Sequence, residues 1–177
     1  PSSAAGGAKA ISLATGAYAR IRRQFRMPVG HMEGVEEMLA RIGGNAYLMD
    51  GVTRFSTVGV DLGEKPSVIS AICKYHLTEK MRQVVNDSMD VHGGRAVMEG
   101  KRNYVSNVYS GAPVAITVEG ANILTRSLMI FGQGLIRCHK TMLDELRALH
   151  DESRDSINKF DKALVIHVGS FINNIAR

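Results

Sequence analysis

Apolar residues recur at three- and four-residue steps along most of this chain, a period that predicts helices. Ile11, Ala14, Tyr18, Ile21 and Phe25 mark one face of a helix over residues 4–26, ended by Met27-Pro28-Val29-Gly30. Val35, Met38, Leu39, Ile42, Ala46 and Met49 mark a second over about 32–55. Residues 56–65 hold two glycines and read as a loop or a fraying helix end. Pro66 opens a third helix reaching about residue 91, with Leu77, Met81, Val84 and Val85 inward. His92-Gly93-Gly94 breaks it, and residues 95–110 read as irregular. A fourth helix opens at Pro113, where a first-turn residue needs no amide hydrogen, and runs to about residue 130. Gly132 and Gly134 stop it; a shorter helix follows over 141–150, and Phe160, Leu164, Val168, Phe171 and Ile175 keep helical spacing to the end.

No segment alternates as a strand does, and no repeat is present. The expected fold class is all-α: a four-helix bundle with short helical appendages. Residues 1–140 are expected to form the bundle and residues 141–177 to begin a helical extension.

On this reading Glu119 falls in the second turn of the fourth helix and shares a stripe with Ile116, Ile123 and Ile130. A carboxylate on such a stripe is poorly hydrated, the setting in which acids serve as general bases near neutral pH. The plainer local reading is an acid at the edge of the apolar face, solvated or paired with Arg126. Gly120 follows directly; glycine inside a helix costs about 1 kcal/mol against alanine, which makes sense if a ligand must approach the backbone there.

Length and composition fit one globular domain: 177 residues, 45% of them apolar. Cys73 and Cys138 make no disulfide framework and are expected to pack as small hydrophobes, in keeping with a reducing compartment. Neither has a partner at metal-ligand spacing, so no metal is expected. The apolar runs fall short of the ~20 residues that span a bilayer. The chain begins with Pro1 and lacks the pattern of a signal peptide, and so reads as a fragment or a processed product.

The net charge is +5, and Arg20, Arg22, Arg23 and Arg26 crowd together with His31 just after. Such a cluster attracts phosphate on a nucleotide cofactor, a nucleic acid or a membrane surface; equally it can be a solvated helix end. Aromatic residues are only 6% and no nucleic-acid motif accompanies the arginines, which argues against a nucleic-acid partner.

Three separated features line up in one order. They are Tyr18-Ala19-Arg20-Ile21-Arg22-Arg23-Gln24-Phe25, then Asp90-Val91-His92-Gly93-Gly94, then Val118-Glu119-Gly120 beginning the acid motif, with Glu119 twenty-five residues beyond Gly94. Together they resemble the C-terminal helical domain of the acyl-CoA dehydrogenases, over roughly residues 8–135. The stretches 63–71 and 118–127 resemble the large bacterial fatty-acid β-oxidation members most. Residues from about 141 onward resemble the start of the extra C-terminal region of those proteins.

The resemblance implies a flavoprotein that oxidises acyl-CoA thioesters to trans-2-enoyl-CoA, with FAD as hydride acceptor. It implies Glu119 as the base taking the α-proton, its backbone N–H and the bare backbone of Gly120 meeting the thioester. It implies cofactor contacts from Arg22, on a neighbouring subunit's FAD, and from Gln24, Phe25, Asp90, Gly93 and Gly94. Departures from the family pattern are Asp90 for the usual glutamine, Ala96 for a glycine, Val118 for a tyrosine and Ile123 for a glutamine. The resemblance further implies a homo-oligomer, an acyl-CoA substrate and an electron acceptor that this stretch does not identify. The expected location is the cytoplasm of a bacterium, with room for peripheral association at the inner membrane. This stretch by itself is expected to be inactive, to hold FAD weakly if at all, and to self-associate through uncovered apolar faces. Alternatives are an acyl-CoA oxidase, in which oxygen reoxidises the flavin, a non-catalytic scaffold for assembly or acyl-CoA binding, and a bundle that binds membrane or nucleic acid through its arginines.

Overall fold

The computed structural model describes residues 2–176. Helix α1 spans Ser2–Ile21, α2 Glu33–Asp61, α3 Ser67–His92, α4 Gly94–Val97 and α5 Val105–Thr117. Then come α6 (Asn122–Leu124), a π-helical stretch Thr125–Gln133, α7 (Gly134–Cys138), α8 (Met142–Leu149) and α9 (Ser156–Ile175). The chain divides into two compact units between Thr125 and Arg126.

In the first unit α1, α2 and α3 pack against one another and α5 packs on α3. Their shared core is Ala4, Ala5, Ala8 and Ile11 of α1, Ile42, Ala46 and Met49 of α2, and Cys73, Leu77, Met81, Val84 and Val85 of α3. Small residues on α1 bring its axis close to α3: a β-carbon on Gly7 would stand 2.8 Å from Met81 Cε. The hydroxyls of Thr15 and Ser88, both buried, meet at 2.8 Å, so neither is left unpaired where α1 crosses α3. Arg41 adds ion pairs to Glu37 and to Asp87, the second linking α2 to α3.

The first helix ends at Ile21 and not at residue 26. Residues beyond it form a β-hairpin, β1 (Arg23–Gln24) with β2 (Met27–Pro28), pairing Arg23 with Pro28 and Gln24 with Met27. Phe25 (φ 49°) and Arg26 (φ 66°) supply the two left-handed turn residues that match the twist of such a hairpin. Pro28 is the physical reason: it pushes Met27 out of the helical region and offers no amide hydrogen. The helical spacing of Ile21 and Phe25 therefore marks no buried face, and both side chains are exposed.

The second helix runs on to Asp61, through the segment expected as a loop or a frayed end. It stops where Gly63 takes φ 85° and Gly63 N–H and Glu64 N–H donate to the carbonyls of Val60 and Gly59, the pattern of a Schellman cap. The third helix falls within one residue of expectation.

The largest departure concerns the fourth bundle helix. It begins at Val105, inside the stretch expected to be irregular, because the Asn103 side-chain oxygen accepts the N–H groups of Val105 and Ser106 at 2.9 and 3.1 Å. That is the capping chemistry asparagine performs at helix starts. Pro113 lies inside this helix, which ends at Thr117. The run that looked like one helix from Pro113 to residue 130 is thus two segments with a break at residues 118–121. Glu119 lies in that break, not in a helix, and is exposed; Ile123 is exposed as well. The break removes Glu119 from the helical stripe expected to join it to Ile116 and Ile123.

In the second unit α8 packs on α9, with Ala148 and Ala163 buried. The Glu145 carboxylate accepts Thr141 Oγ1–H at 2.8 Å and His167 Nδ1–H at 2.8 Å, which ties α8 to α9. The hydrogen bond from Thr141, reinforced by His167, holds this carboxyl below its usual range against the opposing effect of burial. Cys73 is buried as expected, whereas Cys138 is exposed at the end of α7 and packs against no core.

Candidate functional site

Two features of the first unit carry most of the chemistry expected from the sequence. One is a cleft of about 660 Å³ where the end of α1, the hairpin, the end of α3 and α4 converge. Arg22, Gln24, Gly93 and Gly94 all line it, joined by Arg95 and Arg102. Gly93 adopts φ 59° and ψ −141°, a conformation residues with a β-carbon avoid. A β-carbon built on Gly93 or Gly94 would meet nothing within 4 Å, so open space lies over this backbone.

His92 anchors the wall of the cleft. Its ring stacks on Tyr18 with centroids 4.2 Å apart, and it bonds Ser88 O through Nδ1 at 2.8 Å and Tyr104 Oη through Nε2 at 2.7 Å. Burial lowers its pKa, with Arg95 adding to the effect and the Ser88 carbonyl opposing it. The neutral ring therefore donates Nδ1–H to Ser88 and accepts the Tyr104 hydroxyl at Nε2. Burial also raises the Tyr104 phenol, keeping its proton in place for that bond.

Phe25 and Asp90 do not line the cleft. Phe25 sits at the hairpin tip and is exposed. Asp90, one helical turn before Gly93, is exposed, and its charge adds to those acting on Arg41.

The second feature is the break itself. Glu119 has φ 56° and Gly120 φ 84°, both in the left-handed region. A non-glycine residue there costs of order 1–3 kcal/mol and persists only where its surroundings over-determine it. The surroundings are in view. Lys74 of α3, only 7% exposed, donates to Ile116 O at 3.1 Å, Gly120 O at 2.6 Å and Asn122 Oδ1 at 2.6 Å. Asn122 in turn donates to Thr78 Oγ1 and to Glu79 Oε1, and Thr125 Oγ1 donates to Gly120 O. An exposed carboxylate thus stands on backbone fixed from both sides, where a ligand can reach its oxygens and the adjoining peptide.

Sequence reasoning missed Lys74, Arg95, Arg102 and Tyr104. Lys74 had a signal: it sits four, seven and eleven residues before Thr78, Met81 and Val85, on the buried face of its own helix. The others lie in the stretch read as irregular, where no periodicity points to them.

Residues 2–131 match the family model for the acyl-CoA dehydrogenase C-terminal domain, and residues 136–177 match that for the bacterial-type acyl-CoA dehydrogenase C-terminal region. The chain belongs to the acyl-CoA dehydrogenase family. Its members are FAD-binding flavoproteins. Among curated relatives, the acryloyl-CoA reductase (NADH) of Anaerotignum propionicum is 28% identical over 122 residues, covering 66% of this chain and 30% of that protein. Among solved structures, an acyl-CoA dehydrogenase from Geobacillus kaustophilus superposes with a TM-score of 0.69 at 22% identity, covering 73% of this chain and 33% of that one. The FAD complex of PigA superposes with a TM-score of 0.67 at 18% identity, covering 75% and 34%. At such identities the superpositions establish the helical fold alone. The chain spans about a third of the length of these relatives.

Proposed function

We propose that this chain is the C-terminal helical part of an acyl-CoA dehydrogenase that oxidises acyl-CoA thioesters to trans-2-enoyl-CoA in fatty-acid β-oxidation, with Glu119 as the base. The observation that carries this reading is the held break at Glu119–Gly120, which offers a carboxylate and adjoining peptide groups at one accessible point. In this reading the Glu119 carboxylate takes the α-proton of the thioester. The Glu119 N–H donates to the thioester carbonyl as enolate charge develops, the role of an aimed donor in an oxyanion site. Gly120, without a side chain, lets the thioester lie against the backbone.

The cleft residues suit the cofactor of the family. Arg22, Arg95 and Arg102 are guanidiniums fit for pyrophosphate oxygens, and nothing covers the backbone of Gly93 and Gly94. FAD, when bound, supplies the acceptor for the β-hydride. Arg22 and the glycine pair would then hold its phosphates and adenosine portion, which in a homo-oligomer includes a neighbouring subunit's cofactor. The rest of the flavin and acyl pockets belongs to the remaining two thirds of the family's length, so this chain alone is expected to be inactive.

The test is anaerobic mixing of the parent flavoprotein with a saturated acyl-CoA while flavin absorbance is followed. Glu119→Gln should slow bleaching by about 10²–10⁴, the usual worth of a general base. Bleaching of that variant at the wild-type rate would sink the assignment. The acryloyl-CoA reductase relative favours a second reading, in which the parent protein works in the reducing direction. Faster turnover of an enoyl-CoA with NADH than of an acyl-CoA with a dye acceptor would favour it.

A further inference from the structure

A left-handed glutamate needs something to hold it, and the group that reaches both sides of it here is one buried ammonium, with Thr125 Oγ1 adding a second donor to the Gly120 carbonyl. Lys74 carries three N–H donors, and each is taken: by the Ile116 carbonyl before the break, by the Gly120 carbonyl within it, and by the Asn122 side chain after it. Ile116 O is one of the carbonyls left unpaired as α5 ends, where the helix dipole also favours a cation. Around Lys74, the Thr78 hydroxyl donates to the Lys74 carbonyl at 2.8 Å, and Glu79 one residue on accepts from Asn122 at 2.7 Å. All the partners of this one side chain flank Glu119 on both sides.

We propose that Lys74 is the positioning residue of the base: it clamps the backbone on both sides of Glu119, so that carboxylate and peptide N–H face the substrate in one fixed arrangement. The proposal rests on the reading of Glu119 as the base. Lys74 touches no reacting atom; it acts through the geometry of the break. Burial lowers the pKa of its ammonium, while the Glu119 and Glu79 carboxylates pull the other way. The acid it positions and Glu79 thus oppose the effect of burial on the ammonium without cancelling it. A neutral side chain of similar volume would leave the Ile116 and Gly120 carbonyls without this donor and free the break to relax toward ordinary backbone angles.

The experiment uses the FAD-loaded parent protein carrying Lys74→Met, Lys74→Arg or Glu119→Gln. The limiting rate of flavin reduction by acyl-CoA is measured apart from the half-saturating concentration and the FAD content. Lys74→Met should lose about 10–100-fold in limiting rate, the scale of an ångström-sized misplacement, with half-saturation and FAD content within about threefold. Lys74→Arg, which keeps charge and donors, should recover most of that rate. Lys74→Met at the wild-type rate, with Glu119→Gln dead, would overturn the clamp and leave the base intact. Equal losses in Met and Arg variants, or losses of rate matched by losses of FAD, would reduce Lys74 to packing and overturn it too. If Lys74→Met does not fold, Lys74→Gln takes its place; failure of both to fold would make the residue a folding determinant only. Glu119→Gln at the wild-type rate would overturn both readings together.

Discussion

Lys74 Nζ stands 2.6 Å from the carbonyl oxygen of Gly120, a residue 46 positions away on a different helix-bounded segment. This contact ties the buried face of α3 to the break that interrupts the chain after α5. Lys74 is only 7% exposed whereas Glu119, one residue before Gly120, is exposed, so the fixed charge lies within the bundle and the acid at its surface.

Gly120 at φ 84° tests how far the break depends on left-handed backbone. Gly120→Ala should destabilise the first unit by about 1 kcal/mol, the penalty for placing a β-carbon in that region. In the parent enzyme it should slow flavin reduction more than it weakens FAD binding. Chemical denaturation and stopped-flow reduction of the same variant separate the two effects.

Arg22 tests the cleft. Arg22→Gln in the parent protein should weaken FAD by about 10–100-fold, equivalent to about 1.5–3 kcal/mol for a hydrogen bond to a charged group. Titration of the apoprotein with FAD measures it. Binding that is unchanged, and equally insensitive to salt, would remove Arg22 from the cofactor site.

His92 makes stability depend on pH. Burial lowers its folded pKa below the unfolded value near 6.5, so between the two the unfolded chain binds more protons. Its contribution is then fully present above about pH 6.5 and is lost as pH falls toward the folded pKa. His92→Phe keeps the stack on Tyr18 but gives up the bonds to Ser88 and Tyr104. It should be less stable than wild type at pH 7.5 by about 1–3 kcal/mol, with the gap narrowing by pH 5.5. Parallel melting curves at the two pH values would show a constant gap if His92 stayed neutral in both states.

Glu145 tests the second unit. Glu145→Ala leaves the buried Thr141 hydroxyl and the His167 ring without their shared acceptor. The packing of α8 on α9 should weaken by about 1–3 kcal/mol. Amide exchange along α9 would report it, with no change expected along α3.

The sequence alone carried the all-α class, the extents of α3 and α8 to within one residue, and the motif order that marks the family. These depend on local period and on residues that stop helices whatever surrounds them, as Gly93 does after α3. Tertiary structure decided the rest. Spacing through Phe25 suggested a continuing helix, but Pro28 and the left-handed pair Phe25–Arg26 turn the chain back. The run from Pro113 onward has helical composition throughout, and periodicity cannot show that it splits at Glu119. That split depends on a lysine forty-five residues earlier whose ammonium finds carbonyls only once α3 and α5 have packed. Hydrophobic spacing records which face a helix buries; where a buried charge finds its partners is settled in three dimensions.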